Sequence, residues 1–169
     1  MDLNYIYSKS ALWVQDGARI GSLLSFTPPA MTAIIGNHKT TWMDVAMPVD
    51  TGMEPMQCAF KVGADLDVLS LFGFIPGAST RVQARRTYKD TSGAMHVFVD
   101  ELQGIIGTIE ADEHGTEGQE SVGFTVTMFL SYYRLTVDDE VIYEIDPLNM
   151  IRAVRGVNVL QEEKDLLLM

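Results

Sequence analysis

The chain has 169 residues, 47% of them apolar, and is therefore long enough for one domain with a core of its own. Its 23 acidic residues outnumber its 12 lysines and arginines, and the net charge of −11 argues against a nucleic-acid-binding surface. The single cysteine, Cys58, excludes an internal disulfide and a cysteine-based zinc site. Residues 1–10 lack a signal-peptide pattern and no apolar run reaches ~18 residues, so we expect no membrane anchor.

The N-terminal part of the chain predicts a β-hairpin followed by a long loop. Residues 11–15 and 18–27 flank Asp16-Gly17, a pair that accepts the positive φ angles of a tight turn. Pro28-Pro29 ends the pairing, because proline has no N–H to donate to a ladder. Residues 31–55 show no clean period and contain several glycines and prolines, so we expect a long loop of the kind that is often functional.

The next predicted elements are a short strand at residues 56–62 and a short helix at residues 65–72. Asp65 is a suitable helix N-cap, and Gly73 is placed to end the helix. A helix of about two turns is not stable alone, so we expect it to flank the sheet and pack on it.

A second hairpin is predicted in the centre of the chain. Residues 81–88 and 95–103 form its strands around a polar turn at residues 89–93. Gly104 and Gly107 interrupt the apolar strand that continues from it, which indicates a bulge or a bend.

The C-terminal third begins with an acidic loop and ends with a third hairpin. Residues 110–120 hold five acidic residues and no lysine or arginine, which is typical of a solvated loop. Residues 124–132 alternate apolar and polar side chains, with Tyr132 on the apolar face, and the phase changes at Tyr133-Arg134. Residues 135–137 and 141–145 then form a hairpin.

Several strands, one short helix and turns rich in glycine and proline predict a mainly β fold. We expect an antiparallel β-sandwich or barrel with one short flanking helix, formed by residues 1–169 as a single domain.

No residue pattern indicates catalysis, a cofactor or a metal. The three histidines, His38, His96 and His114, are far apart and lack a ligand spacing such as HExxH. Asp112-Glu113-His114 joins acid and base but lies in the acidic loop, whereas a catalytic group needs a rigid, partly desolvated setting. Cys58 lies among apolar residues and predicts a buried, inert thiol. We therefore expect that the chain is not an enzyme and that it binds no cofactor.

Three segments near the C-terminus carry a resemblance to a known family. They are Tyr132-Tyr133-Arg134-Leu135-Thr136-Val137-Asp138, Glu144-Ile145-Asp146-Pro147-Leu148-Asn149-Met150-Ile151 and Val154-Arg155-Gly156-Val157. In this order and spacing they closely resemble the closing part of the major tail tube proteins of contractile-tailed bacteriophages. Residues 47–53 contain Pro-Val-Asp-Thr-Gly, which is similar to a further sequence motif of this family. The chain departs from the family pattern at two places. Arg155 stands where asparagine is usual, and Asp138-Asp139 stands where the turn is usually Asp-Gly.

The resemblance implies a structural virion protein that is assembled in the host cytoplasm. It implies six-subunit rings that stack inside a contractile sheath and enclose a channel for DNA, which passes without specific binding. The partners implied are further copies of the chain, the tail sheath protein, the tape-measure protein in the lumen, and baseplate and tail-terminator proteins. The alternatives are the tube protein of a tailocin, a type VI system or an extracellular contractile injection system, and, more remotely, a monomeric β-sandwich binding module.

Two segments are candidate contact sites between subunits. Residues 31–55 carry more apolar side chains than a free loop shows to water, and we expect a ring-stacking arm formed by Met31, Trp42, Met43, Met47 and Met53. The C-terminal tail, residues 158–169, ends in Leu166, Leu167 and Leu168, which we expect to dock on a neighbour. The alternatives are a loop folded back on its own core, and a tail that frays or covers its own subunit.

The lumen is the third expected surface. The family suggests that residues 81–103 and 124–145 line it, with ordinary strand pairing inside one subunit as the alternative. The acidic composition suggests an acidic wall that keeps DNA mobile, because charges of the same sign repel it.

Overall fold

Twelve antiparallel strands make up most of the computed structural model, which describes residues 5–14, 17–66, 69, 77–118 and 122–169. The strands are β1 (Ile6–Val14), β2 (Arg19–Ile20), β3 (Leu23–Thr27), β4 (Ala33–His38), β5 (Met47–Met53), β6 (Gln57–Gly63), β7 (Thr80–Lys89), β8 (Met95–Ala111), β9 (Gly123–Val137), β10 (Glu140–Asp146), β11 (Ile151–Val154) and β12 (Val157–Asn158). A 3₁₀ turn, Pro147–Asn149, precedes β11, and helix α1, Gln161–Leu166, follows β12. The predicted mainly β, antiparallel fold is confirmed.

Ten of the strands form one branched sheet that does not close into a barrel. Its main path runs β12-β11-β10-β9-β8-β7-β1-β2, and β6 joins β9 to β3. The first half of β9 pairs with β6, from Gly123 opposite Gly63 to Phe129 opposite Gln57, and its second half pairs with β10. The long strands β8 and β9 therefore run through both branches and connect them.

Two irregularities bend the β8–β9 ladder, as the glycines predicted. The register shifts between Gln103 and Gly104 and again between Ile106 and Thr108. A Cβ atom on Gly104 would overlap the carbonyl oxygen of Phe129, so only glycine allows the two strands to approach this closely.

The same bulge changes which face of β9 is buried. Val126 and Met128 are buried on the core side, but Ser131 is the extra residue of the bulge, since Gln103 pairs with Tyr132 and Gly104 with Leu130. Tyr133, at 2% exposure, therefore lies in the core instead of the predicted Tyr132. The alternation was predicted correctly up to Leu130, and the change of phase falls before Tyr132.

The core lies between the two branches. Side chains from β1, β2, β6, β7, β8, β9 and β10, together with Met56 just before β6, form one buried cluster. Its members are Leu12, Val14, Ile20, Met56, Cys58, Phe60, Val62, Val82, Ala84, Leu102, Ile106, Val126, Met128, Tyr133 and Ile145. Burial raises the pKa of the Cys58 thiol to about 12, which keeps the thiol protonated and inert, as expected.

One charged group, Asp100, is fully buried among these side chains. Arg86 holds it with two hydrogen bonds, Nε to Oδ2 at 2.7 Å and Nη2 to Oδ1 at 2.9 Å, and the Tyr133 hydroxyl donates to Oδ1 at 2.8 Å. Desolvation, followed by the charge of Asp100, raises the pKa of Tyr133, so its hydroxyl stays a donor. The network ties β7, β8 and β9 together.

Three expectations about local structure need correction or lie outside the described residues. The long loop expected at residues 31–55 is instead an antiparallel β4–β5 hairpin that forms its own two-stranded sheet. Of the predicted helix at residues 65–72, the structure describes the N-terminal part, where the Leu69 N–H donates to the Asp65 carbonyl at 3.1 Å, and residues 67–68 and 70–72 lie outside it. The tail at residues 158–169 contains a helix, α1, that was not predicted.

The second and third hairpins form where the sequence predicts them. The first hairpin differs from the prediction. β2 pairs with β1 over only two residues, and β3 pairs with β6 instead of continuing the first hairpin. Around the third hairpin, Asp138 and Asp139 have φ angles of 47° and 67° and form the two-residue turn between β9 and β10.

Candidate functional site

The β4–β5 hairpin, with its connection at residues 39–46, presents an unusual number of apolar side chains to solvent; we call it the arm. Six large apolar residues on it are at least 40% exposed: Ile34, Ile35, Trp42, Val45, Met47 and Val49. Trp42, at 82% exposure, and Val45, at 76%, lie in the connection between the two strands. An apolar surface of this kind marks a site of contact with another surface.

The five residues predicted for ring stacking separate into two groups. Trp42, Met43 and Met47 lie on the outer part of the arm, where Trp42 and Met47 are exposed and Met43 is half-buried. Met31 and Met53 lie at its base and line a groove beside β10 and β11, and Met53 also packs against the core.

Sequence reasoning missed Ile34, Ile35, Val45 and Val49 on the arm. The signal available was the β-branched residues Ile34, Ile35 and Val49, because β-branched side chains favour strands. Gly36, Pro48 and Gly52 obscured it.

A bidentate ion pair fixes the arm to the main sheet. Arg152 on β11 donates from Nη2 to Asp50 Oδ2 at 2.7 Å and from Nη1 to Oδ1 at 3.3 Å. This guanidinium, together with the Gly52 N–H, holds the pKa of Asp50 below its usual value. Within the arm, the Thr51 hydroxyl donates to the Ile34 carbonyl at 2.9 Å. The arm is therefore held in a defined direction.

The C-terminal segment is the second exposed apolar surface. Helix α1 has no buried residue, and Leu166, Leu167 and Leu168 are 77%, 61% and 94% exposed. These leucines do not cover their own subunit, so the predicted docking residues are available to another surface.

Within the part of the chain that the structure describes, the main sheet also has edges without a pairing strand. Residues 6–10 of β1 pair with β7 on one side, and Ile6 and Tyr7 there are 61% and 57% exposed. At the other end β12 pairs with β11, and Val157 is 68% exposed. A strand edge without a partner, carrying exposed apolar side chains, can pair with a strand of another chain.

The two hairpins expected at the lumen turn one face to the core and leave the other open. The strand registers place Trp13 opposite Arg19 and Gln83, Gln83 opposite Glu101, and Glu101 opposite Arg134. Because side chains alternate between faces, these residues share the face away from the core.

This open face is cationic, in contrast to the acidic wall that the composition suggested. From β1 and β2 through β7 to residues 132–136 of β9 it carries half of the chain's 12 lysines and arginines and one carboxylate, Glu101. A second carboxylate, Glu144 on β10, lies opposite Arg134 on the same face. We call these six residues the cationic face: Lys9, Arg19, Arg81, Arg85, Lys89 and Arg134.

Ion pairing neutralises only part of the cationic face. Arg134 Nη2 lies 2.6 Å from Glu101 Oε2, and Arg81 Nη2 lies 4.0 Å from the same atom. Arg85 donates to the Gln83 side chain at 3.2 Å. The face keeps a net positive charge in a chain of net charge −11.

A histidine clamp joins the tips of the second and third hairpins. His96 Nδ1 lies 2.6 Å from Asp138 Oδ2, and Nε2 lies 3.2 Å from Asp90 Oδ2. The hydrogen bond with Asp138, followed by that with Asp90, raises the pKa of His96. The Ser92 hydroxyl, followed by His96, lowers the pKa of Asp90 to about 2. A protonated His96 between two carboxylates therefore stabilises both turns.

This clamp predicts a pH dependence of stability. The pKa of His96 is higher in the folded chain than the ~6.5 of an unfolded one, so its contribution is complete below pH ~6.5 and is lost as the pH rises through the folded value. We expect the free energy of unfolding of the wild type to fall relative to His96→Gln over that window, in urea titrations at successive pH values. His38→Gln, at an exposed histidine on β4, is the control. Parallel curves for wild type and His96→Gln would contradict the clamp.

The described residues contain no group of three or more His, Cys, Asp or Glu side chains that could hold a metal ion. Within the same part of the chain, no helix is long and apolar enough to cross a bilayer. The features that the structure does present are surfaces for contact.

An exposed apolar arm, unpaired sheet edges and a charged open face on a mainly β subunit define a structural protein that contacts other protein surfaces. The family model described as "Phage tail tube protein FII" matches residues 8–167, and the chain therefore belongs to this family of phage tail tube proteins. The predicted resemblance is confirmed, and membership makes the chain a structural virion component with no enzymatic role.

Individual relatives agree with this assignment. The chain is 25% identical over 149 residues to the "Tail tube protein" of Escherichia phage P2, covering 85% of this chain and 86% of the relative. It is 29% identical over 152 residues to the "Major tail tube protein" of Serratia phage KSP20, covering 88% and 86%. Among solved structures, a chain in a cryo-EM structure of the anti-feeding prophage baseplate aligns with a TM-score of 0.56 and 8% identity, over 80% of this chain and 95% of that one. This last likeness supports the fold.

Proposed function

We propose that the chain forms six-subunit rings that stack into the inner tube of a contractile tail and enclose the channel for DNA ejection. The observation that carries this proposal is the arm, a hairpin with exposed apolar side chains that Arg152 and Asp50 hold on the sheet of a tail tube family member. An arm of this kind suits a contact that repeats from one ring to the next, because each subunit offers the same projecting surface.

Ring closure is supported by the sheet edges. Among the described strands, residues 6–10 of β1 extend beyond the short pairing with β2, and they and β12 each have one edge without a partner strand. Pairing between the edges of neighbouring subunits would satisfy these groups and continue the sheet around the channel. Such a contact is heterologous, since two different edges meet. It forms a closed ring when the rotation between neighbouring subunits is a whole fraction of 360°.

The wider set of partners follows from this role. The outer surface of the tube meets the tail sheath protein, the lumen holds the tape-measure protein before DNA passes, and the tube ends meet baseplate and tail-terminator proteins. Assembly takes place in the host cytoplasm, and the product is part of the virion.

Electron microscopy of the purified full-length chain tests the proposal. We expect negative-stain images to show hollow tubes of constant diameter, or rings whose class averages have six-fold symmetry. Light scattering after size exclusion measures the mass of the rings independently. A chain that stays monomeric over a wide range of concentration and salt, also when phage tails with exposed tube ends are added as seeds, would contradict the proposal.

A further inference from the structure

We propose that the cationic face binds the phosphate backbone of duplex DNA without reading its sequence. The inference rests on the proposed tube, in which the hairpins that carry this face line the channel. The wall then holds DNA by electrostatic attraction instead of repelling it. Six cations less the two carboxylates, Glu101 and Glu144, leave the face a net charge of +4. A surface with such one-sided charge selects a polyanion.

Four of the six cations are available to a ligand. Arg81 and Arg134 share Glu101, at 4.0 Å and 2.6 Å, and Glu144 lies opposite Arg134. The other four are exposed and form no ion pair with any residue that the structure describes: Lys9, Arg19, Arg85 and Lys89. The positive charge of the face is therefore concentrated on β1, β2 and β7.

The carboxylates at the margins of the face are engaged elsewhere. At the hairpin tips, Asp90 and Asp138 both bond with His96. Asp146, further along β10, accepts from the backbone N–H and the side-chain amide of Asn149. None of these three carboxylates is paired with a cation of the face.

The spacing of the cations suits a long array of phosphates. Arg81, Arg85 and Lys89 lie four residues apart on one face of β7, so the row spans about 27 Å at ~3.4 Å per residue. Lys9 on β1 lies opposite Thr87, beside the middle of the interval between Arg85 and Lys89. Over about 27 Å a duplex presents roughly 16 charges, one per ~1.7 Å of its axis. Each free cation can therefore reach a phosphate in any register.

The shape of the face favours phosphates over bases. Sequence is read in the grooves, by a helix or a two-stranded ribbon that enters them. Four adjacent strands of the face, β1, β7, β8 and β9, span about 14 Å at ~4.8 Å per pair, whereas the major groove is ~12 Å wide. Side chains on so broad a sheet contact the backbone, which carries no sequence information directly.

The net charge of −11 does not oppose this contact. Charges more than about 8 Å apart are largely screened at physiological ionic strength, so DNA at the face responds mainly to the charges of the face. Contacts to phosphates alone also let a protein slide along DNA, because every step along the duplex offers the same contacts. The wall can therefore hold DNA and still let it pass.

Fluorescence anisotropy of the purified chain with a labelled duplex of about 20 base pairs tests the contact. Four cations on phosphates predict a loss of affinity of about 100-fold between about 50 and 200 mM salt. Arg85→Gln with Lys89→Gln removes two of these contacts and should reduce the loss to about tenfold. Two duplexes of different sequence should bind equally well, and a clear preference for one would contradict a phosphate contact.

Lys39→Gln with Arg155→Gln is the matched control. Both residues are exposed and lie outside the face, and the pair changes the net charge by the same amount. We expect this variant to keep the salt dependence of the wild type. Thermal unfolding of both variants should match the wild type, because exposed charges contribute little to folding. The same reduction in both variants would show that overall charge decides, and would overturn the inference.

An acidic protein segment is the other occupant that a cationic face would suit. Extended poly-L-glutamate carries one charge per ~3.4 Å, about half the linear charge density of the duplex. We therefore expect it to bind more weakly than DNA. Binding as tight as that of DNA, and equally dependent on Arg85 and Lys89, would assign the face to an acidic protein and overturn the inference.

Preformed tubes separate this inference from the proposed tube role. DNA bound by wild-type tubes at low salt should be protected from DNase I, since the wall encloses it. Binding without protection would place the face outside the channel and overturn the inference. Tubes that bind no DNA would also overturn it and leave the tube role intact. A chain that binds DNA with the expected salt dependence but forms no tube would overturn the tube role and leave the DNA contact.

Discussion

Replacement of Arg86 by methionine should lower the free energy of unfolding by about 3–5 kcal/mol. Asp100 is fully buried, and Arg86 supplies two of the three side-chain hydrogen bonds that compensate its charge. Methionine keeps the length of the side chain but leaves a buried carboxylate with Tyr133 as its remaining side-chain donor. Urea unfolding followed by fluorescence measures the change.

Arg134→Met provides the matched control for this substitution. Arg134 also binds a carboxylate, Glu101 at 2.6 Å, but its side chain is 34% exposed and water replaces the lost contact. We expect a loss of about 1 kcal/mol or less. Equal losses for Arg86→Met and Arg134→Met would contradict the importance of the buried pair.

Substitution of the arm tip should abolish long tubes and leave the subunit folded. Trp42→Ser with Val45→Ser removes the two most exposed apolar side chains of the arm, neither of which belongs to the core. If Trp42 buries ~150 Å² in the assembly, the contact contributes about 4 kcal/mol at ~25 cal/mol per Å². The concentration required for tube formation should then rise more than about 100-fold, as measured by pelleting and electron microscopy.

Leu148→Ser is the control for the arm variant. Leu148 is 82% exposed, the same as Trp42, but lies in the 3₁₀ turn after β10. We expect tube formation to be unchanged in Leu148→Ser. Normal tubes from the arm variant would show that the stacking contact lies elsewhere.

Local sequence patterns predicted the parts of the fold that local interactions decide. The second and third hairpins follow from strand alternation and from turn residues; Asp138 and Asp139 take the positive φ angles that a two-residue turn needs. Gly104 marked the bulge because no side chain fits beside Phe129. In each case neighbouring residues contain the information.

The arm was missed because its strands are stabilised from a distance. Neither β4 nor β5 has a fully buried face, so they lack the alternation that identifies a half-buried strand. Their attachment depends on Arg152 and Asp50, which are 102 residues apart. Only the folded chain brings such partners together.

The sequence by itself determined the class of fold, the family and the absence of a catalytic pattern, because these depend on residue order and short-range spacing. Tertiary structure decided which residues share a surface. It placed Asp100 beside Arg86, left apolar side chains of the arm exposed, and gathered six cations on one face of an acidic protein. Strand register controls all three, because a shift of one residue turns every side chain to the opposite face, and register is fixed by bulges and partners far apart in the chain.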